Sequence, residues 1–309
     1  MAFSLNARTR LLVIAPHPDD ESIATGELIQ QVRQLGGEVR ILLLTNGDNN
    51  PWPQRWVERR LRIGADDRRR WGERRRNEVG HALTQLGVDV SALQAAGWPD
   101  MGVTDLLRAD LKASIAVILA ALDAARPNLV AMPALGDHHP DHSAAHVITR
   151  LALEQWQGPA PERLAYLVHG REDHVTGRVK LDSSVGVHAN KLAALACHRS
   201  QMALSGKRMR RMADRAERYL QVRGSGAVAP TPVLPWQPSA ALQSWLHLMV
   251  VDGQGERSWP WRQAPLVRDG QGRYVLHAFD DKAPGPAFAK LYMNLPSPWI
   301  FDRWGWCEL

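Results

Sequence analysis

Residues 10–21 read RLLVIAPHPDDE, an apolar run that ends at a proline and is followed at once by imidazole and carboxylate side chains. The run Leu11–Ala15 is typical of a strand that is buried on both faces of a parallel sheet. Pro16 and Pro18 restrict the backbone that follows and hold it extended before a helix begins. Because ligands of open α/β sheets bind beyond the carboxyl ends of the strands, these residues predict a functional site.

Strand and helix patterns alternate along the first half of the chain. The predicted strands are Val39–Thr45 and Asn128–Met132, and the predicted helices are Ser22–Leu35, Trp71–Leu86, Leu106–Ala125 and His142–Trp156. Repeated strand–helix units are connected by crossovers that cover a parallel sheet on both sides. The sequence therefore predicts an α/β fold with a Rossmann-like, mostly parallel sheet and helices on both faces.

The pattern changes after Pro159. The sequence predicts strands over Leu164–His169 and Lys180–Val187, and helices over His188–His198 and Arg208–Val222. From residue 224 the chain is rich in glycine, proline and tryptophan, and seven of its twelve tryptophans lie between residues 236 and 306. We therefore predict one domain over 1–223 and a loop-rich or short-stranded C-terminal appendage over 224–309.

Composition excludes several classes of protein. With 45% hydrophobic and 23% charged residues, the chain of 309 residues can bury a sizeable core. No apolar run approaches the ~20 residues that span a bilayer, and the N-terminus lacks the apolar region of a signal peptide. Cys197 and Cys307 are too few for a disulfide framework or a cysteine zinc site. These features predict a cytoplasmic protein without a transmembrane segment.

One block of arginines makes the protein basic. Residues 55–76 hold ten arginines against four acidic residues, an excess that equals the net charge of +6 of the whole chain. The block is either a solvated helix face with arginine–acid pairs at helical spacing, or a surface for an anionic substrate or a membrane. A nucleic-acid partner is not expected, because the block lacks interleaved stacking aromatics.

The loop after the first strand carries candidate metal ligands. His17 and Asp20 lie three residues apart on a predicted turn and offer the nitrogen and oxygen donors that suit zinc. Asp19 lies between them and remains available to transfer protons. Alternatively, Asp19 or Asp20 does no more than cap the helix that follows.

A second polar cluster, GDHHPDH at residues 136–142, follows the strand Asn128–Met132. If the two loops meet at one edge of the sheet, His17, Asp20 and His142 supply three ligands and leave the fourth position open. Three protein ligands with an open position are typical of catalytic zinc, which lowers the pKa of water to about 7.

These two motifs resemble those of the PIG-L/LmbE-like zinc deacetylases, the family of N-acetylglucosaminyl-phosphatidylinositol de-N-acetylase. The matching motifs are HPDDE at 17–21 and HPDH at 139–142, with supporting likeness in RRNE at 75–78, WPD at 98–100, KLAAL at 191–195 and HRSQ at 198–201. The resemblance covers about residues 10 to 222, and the chain after Gly224 matches nothing familiar.

The resemblance implies a role for each matching residue. It assigns His17, Asp20 and His142 to zinc, and Asp19 to the general base that activates water. It assigns His139 to oxyanion stabilisation and acid catalysis, with Asp141 as the nearest carboxylate that could raise its pKa, and it assigns Arg75 and Asp100 to sugar hydroxyls. Where some members carry a tyrosine, this chain has Asp137. His198 either reaches the pocket or lies in the core, and Lys191 is expected to be structural.

The sequence thus predicts a zinc-dependent deacetylase that acts on an N-acetylated amino sugar. The arginine block and the tryptophan-rich tail favour an anionic glycan or glycolipid, with peripheral membrane contact as one option. For the tail, core packing explains the tryptophans equally well. The alternative function is a non-catalytic Rossmann-like protein that binds a sugar phosphate or nucleotide, but such a protein needs a glycine-rich loop where this chain has HPDD. A basic adaptor for anionic polymers is a third possibility.

Overall fold

The computed structural model of the chain describes residues 4–170, 178–224, 232–277, 285–293 and 303–309. Its main sheet has seven strands in the order β3-β2-β1-β4-β5-β7-β6. These strands are β1 (Arg10–Ala15), β2 (Glu38–Thr45), β3 (Leu93–Trp98), β4 (Leu129–Pro133), β5 (Glu162–Tyr166), β6 (Arg178–Lys180) and β7 (Arg218–Gln221). The strands from β3 to β5 in this order are parallel, and β7 pairs antiparallel with β5 and β6. The predicted α/β fold with a mostly parallel sheet is confirmed.

Strand β1 shows why helices cover both faces of this sheet. Leu11 and Val13 enter one hydrophobic core, and Leu12 and Ile14 enter another, because successive side chains of a strand alternate between faces. The first core contains residues of α1 (Asp20–Gln34), α3 (Ala65–Gln85), α7 (Val185–Ala196) and α8 (Arg199–Ala213). The second contains residues of α4 (Val103–Ala109), α5 (Leu111–Ala125) and α6 (Pro140–Gln155).

A buried ion pair ties α7 to α1 and to β7. The Nζ atom of Lys191 lies 2.9 Å from Glu217 Oε1, and a Cβ atom at Gly26 would come within 2.9 Å of the Lys191 side chain. Glu217 also accepts hydrogen bonds from the backbone N–H groups of Glu27 and Leu28. The buried charge is therefore compensated, and Lys191 has the structural environment that the sequence predicted.

Three of the predicted helices were wrong in extent, and the first of them, Trp71–Leu86, begins six residues earlier, at Ala65. The segment Leu106–Ala125 forms two helices, α4 and α5, because Asp110 leaves the helical conformation and its carboxylate accepts a hydrogen bond from Ala113 N. The segment Arg208–Val222 contains the end of α8 and then strand β7. Tyr219 favours the strand, because its ring is buried in the core and its hydroxyl donates a hydrogen bond to Glu217.

The predicted strand Lys180–Val187 was also largely wrong. Only its first residue belongs to β6, and Val185–Val187 form the first turn of α7. Ser184 starts that helix, because its hydroxyl accepts a hydrogen bond from Val187 N. Strand β3 and the helix α2 (Pro51–Glu58) were not predicted from the sequence.

The C-terminal region forms a second, antiparallel sheet in the order β13-β12-β8-β9 and a two-stranded ribbon, β10-β11. Its strands are β8 (Leu246–Asp252), β9 (Gly255–Pro260), β10 (Leu266–Arg268), β11 (Tyr274–Leu276), β12 (Phe288–Met293) and β13 (Trp306–Glu308). Trp236, Trp261 and Trp306 are buried, so these three tryptophans pack in the interior. This observation favours core packing over sugar stacking for them.

This second sheet shares a core with the first part of the chain. Met249, Val251 and Phe288 belong to the same hydrophobic cluster as α5 and α6, and the Arg150 guanidinium lies 2.7 Å from Glu308 Oε1. One hydrophobic core thus contains residues from both sides of residue 224. The division of the chain into two domains at that residue stays a prediction. Among the described residues, no helix combines the length and apolar character that crossing a membrane requires.

We predict that Phe288→Ala lowers the free energy of unfolding of the whole protein by about 3–5 kcal/mol. Phe288 is fully buried, and its ring packs edge-on against His146 of α6. Urea denaturation followed by circular dichroism measures the effect, with Trp245→Ala as the control because Trp245 is 54% exposed. Equal stabilities of the two variants would contradict the shared core.

Candidate functional site

Two remote loops meet at one edge of the main sheet. Strands β1 and β4 are hydrogen-bonded neighbours, and both end at the same edge, at Ala15 and Pro133. The chain runs from β1 outward through β2 and β3 and then returns to β4 on the other side, so the strand order reverses between β1 and β4. Open α/β sheets bind ligands at such a reversal. The convergence that the sequence analysis expected is therefore present.

Three donor atoms form a tight triangle in this cleft. His17 Nδ1 lies 3.2 Å from His142 Nε2 and 3.4 Å from Asp20 Oδ2, and His142 Nε2 lies 3.2 Å from Asp20 Oδ2. All three side chains are buried. The donors of His17, His139 and His142 also lie within 4.8 Å of one another. The site therefore gathers the residue types that hold a metal ion.

Carboxylates lie on the far side of both imidazoles. His17 Nε2 is 3.1 Å from Asp141 Oδ2 and 3.3 Å from Asp100 Oδ1, and His142 Nδ1 is 3.2 Å from Asp137 Oδ2. Burial opposes protonation of His142, but the charges of its acidic neighbours outweigh burial and raise its pKa to about 10. The carboxylates thus orient the rings of His17 and His142 so that one nitrogen of each ring belongs to the donor triangle.

Asp19 occupies a strained position at the start of α1. Its backbone has φ 118° and ψ −23°, a conformation that residues with a Cβ atom avoid. Glu21 Oε2 accepts its backbone N–H at 3.0 Å, and its Oδ2 lies 3.2 Å from Arg75 Nη2. Its carboxylate makes no hydrogen bond that caps α1. The helix-cap alternative therefore does not explain Asp19.

Burial changes the acidity of Asp19. Loss of solvent raises the pKa of its carboxyl group to about 6, and the Arg75 charge opposes this rise. A carboxyl group with a pKa near 6 can accept a proton near neutral pH and then release it. The strained backbone and the ion pair thus hold a group that can carry protons beside the donor triangle.

Arg75 and Asp100 were expected to contact sugar hydroxyls, and the structure gives both of them protein partners. The Arg75 guanidinium donates to the carbonyl oxygens of Gly47 and Pro18 as well as contacting Asp19. Gly47 has φ 62°, and a Cβ atom there would overlap the guanidinium. Asp100 accepts the N–H of Asn49 at 2.7 Å and faces His17. The sugar contacts stay a prediction.

Asp141 does not have the neighbour that the sequence analysis assigned to it. Its carboxylate accepts the N–H groups of Met101 and Val103 and faces His17, rather than the His139 ring. His139 caps α6 and Asp141 lies two residues further on, so their side chains diverge. Burial, and then the charges of His17 and His142, lower the pKa of His139. The Asp141 carboxylate is therefore engaged by other groups, and the acid role that the resemblance implies for His139 stays a prediction.

Two features of this site were not predicted from the sequence, the position of His169 and the contact between Glu21 and His198. The ring of His169, three residues beyond β5, lies 5.0 Å from that of His142 and 5.4 Å from that of His139. Its position just past a strand end was a usable signal. Glu21 Oε1 lies 2.8 Å from His198 Nε2, and His198 is fully buried. His198 thus contacts the residue that holds the backbone of Asp19, and whether it reaches the substrate pocket stays a prediction.

Comparisons with known proteins agree with this geometry. Residues 12–153 match the family model PIG-L, described as GlcNAc-PI de-N-acetylase. A curated relative, 1D-myo-inositol 2-acetamido-2-deoxy-alpha-D-glucopyranoside deacetylase of Mycobacteroides abscessus, is 34% identical over 163 residues. The match includes 48% of this chain and 57% of the relative, so the chain spans little more than half the length of that protein.

Solved structures share the fold. The N,N'-diacetylchitobiose deacetylase of Pyrococcus horikoshii superposes with a TM-score of 0.51 at 18% identity, covering 65% of this chain and 76% of its own. The 4-carboxy-2-hydroxymuconate hydratase GalB of Pseudomonas putida superposes with a TM-score of 0.52 at 18% identity, covering 72% and 100%. Because a deacetylase and a hydratase both match, the fold alone does not define the reaction.

The strain at Asp19 yields a stability prediction. Asp19→Gly and Asp19→Ala both remove the carboxylate, but only glycine relieves the backbone, so we expect the glycine variant to be more stable by about 1 kcal/mol. The control pair is Glu73→Gly and Glu73→Ala at an exposed position inside α3, where alanine is favoured by about 1 kcal/mol. Thermal unfolding of the four variants measures both differences. The same sign at both positions would rule out strain at Asp19.

Proposed function

We propose that the protein is a zinc-dependent hydrolase of the PIG-L family, whose model matches residues 12–153, and that it removes the acetyl group from an N-acetylated amino sugar. The donor triangle of His17, Asp20 and His142 is the observation that carries this proposal. The substrate class follows from the similarity to the curated relative, which is named as the deacetylase of a 2-acetamido-2-deoxy sugar. A glycan, a glycolipid or another glycoconjugate would present that group.

The triangle fits zinc. Ligand atoms lie about 2.0–2.2 Å from zinc, and tetrahedral geometry then separates neighbouring donors by roughly 3.3 Å. The three donor separations here are 3.2, 3.2 and 3.4 Å, and two imidazoles with one carboxylate are typical ligands of hydrolytic zinc. When bound, zinc would polarise the amide carbonyl and make water acidic enough to react near neutral pH.

We assign the proton transfers to Asp19. In its ionised form it takes a proton from the water that attacks the amide carbon, and it then gives a proton to the departing amine nitrogen. The raised pKa of about 6 suits both steps, because near neutral pH the carboxylate can accept a proton and the carboxylic acid can release it. Arg75 positions the carboxylate through its contact with Oδ2. One residue thus serves as base and then as acid.

His139 then acts as a neutral hydrogen-bond donor. Its Nδ1 accepts the N–H of Asp141, so in the neutral ring the proton resides on Nε2. That N–H can donate to the oxygen that develops negative charge, a contribution commonly worth about 3–4 kcal/mol. This assignment keeps the oxyanion role expected for His139 and moves the acid role to Asp19.

We predict that Asp19→Asn retains zinc but loses at least about a hundredfold in turnover, because the amide cannot accept the proton. His142→Ala should lose both zinc and turnover. Amine release from a panel of N-acetylated sugars and glycolipids measures turnover, elemental analysis measures zinc, and Asp105→Asn at an exposed position is the control. Normal amine release by Asp19→Asn, or hydration of a substrate instead of amine release, would overturn the proposal.

A second prediction separates two roles for Arg75. Because the Arg75 charge lowers the pKa of Asp19, Arg75→Met should raise that pKa further. Asp19 must be ionised to act as the base. As the pH is lowered, the variant should therefore begin to lose activity at a higher pH than the parent protein does. The acidic limb of the profile of kcat/KM against pH should move upward, and Arg75→Lys should restore part of the shift. A rise in KM with an unmoved profile would assign Arg75 to sugar binding instead.

A further inference from the structure

Two basic segments from distant parts of the sequence lie side by side in the fold. Residues 55–76 carry ten arginines against four acidic residues, and residues 199–215 carry six lysines and arginines against one acidic residue. Helix α2 packs along α8, and α3 also contacts α8. Because the whole chain has a net charge of only +6, the rest of it is net acidic. The positive charge of the protein is therefore concentrated on α2, α3 and α8, whose exposed side chains form a basic surface that excludes the buried Arg75.

Large apolar side chains are exposed within the same surface. Trp52 and Trp56 of α2 are 66% and 65% exposed, and Leu61, just after that helix, is 90% exposed. The two tryptophans are four residues apart, so they lie on one face of α2. Leu204 of the neighbouring α8 is 48% exposed. Single exposed apolar residues are common, but several on adjoining elements mark an interaction surface.

Part of the positive charge in this surface is available to a partner. Arg69 and Arg70 of α3 are paired with Asp66 and Glu58. In contrast, Arg59 and Arg62 are exposed, and neither forms an ion pair within the described residues. The Arg55 guanidinium lies over the ring of Trp52, 4.9 Å from its centroid. Unpaired guanidinium groups therefore flank the exposed indoles.

Both helices begin at the candidate active site. Asn49, just before α2, donates its N–H to the Asp100 carboxylate, which faces His17. His198, which precedes α8, contacts Glu21, and Glu21 holds the backbone of Asp19. The basic, tryptophan-bearing surface is thus continuous with the rim of the cleft.

We propose that this surface, formed by α2, the residues up to Arg62 and the exposed side of α8, docks the protein on an anionic lipid bilayer. Arginines next to a bilayer are attracted by anionic headgroups, and tryptophans prefer the interface between headgroups and acyl chains. The arginines alone would suit any polyanion. Transfer of the exposed Leu61 and Leu204 side chains out of water is favourable, however, only into an apolar environment such as the acyl chains of a bilayer, and this favours lipid.

Vesicle co-sedimentation of the full chain tests this proposal without requiring turnover, so its outcome is independent of the proposed deacetylation. We expect binding to phosphatidylcholine vesicles that contain phosphatidylglycerol, and little binding to phosphatidylcholine alone. Arg59→Gln with Arg62→Gln should weaken binding roughly 20- to 30-fold, since each arginine near the membrane contributes about a fivefold factor. Trp52→Ser with Trp56→Ser should weaken it at least tenfold.

Matched controls come from other faces of the molecule. Arg8 and Arg40 are exposed near the amino ends of β1 and β2, away from the cleft, and Trp245 is exposed in the C-terminal region. Arg8→Gln with Arg40→Gln, and Trp245→Ser, should bind vesicles as the parent protein does, and circular dichroism checks that all variants fold. Absent binding to the anionic vesicles, equal losses in the control variants, or strong binding to heparin without vesicle binding would overturn the proposal.

Discussion

The parallel pairing of β1 with β4 is the constraint on which the rest of the site depends. Leu11 pairs with Leu129 and Val13 with Ala131, and this register brings the loops after both strands to one edge. A slip of a single residue would move one loop against the other by about 3.3 Å. That distance is as large as the separations among the three donor atoms. A change in the register of β1 and β4 would therefore separate the three donor atoms.

The buried acidic groups around the donors join several loops together. Asp141 accepts one N–H group from the loop after β3 and one from the first residue of α4, and Asp137 accepts the N–H groups of Val168 and His169 after β5. A buried carboxylate is costly unless charged and hydrogen-bonded partners compensate it. Here the partners are backbone groups of neighbouring loops and imidazoles of the site. The charges that orient the rings therefore also hold the cleft in shape.

The sequence was informative where a pattern is local and less so where distant segments meet. Alternating strands and helices, with polar motifs at strand ends, were enough to predict the sheet and the convergence of His17, Asp20 and His142. The partners of Asp141, Asp100 and Arg75 were not predictable, because loops after β2 and β3 set where those side chains point. Strand β7 resembled a helix in sequence, and its pairing with β5 and β6, together with the burial of Tyr219, favours the strand.

The shared core between the second sheet and α6 limits how this architecture can change during evolution. Helix α6 presents His142 at its first turn and supports Phe288 further along. Recombination that exchanged the region after residue 224 for an unrelated sequence would leave the apolar side of α5 and α6 facing water. Such a hybrid would need compensating substitutions on both helices at once. We therefore expect the C-terminal sheet to be inherited together with α5 and α6, and not to be exchanged as an independent module.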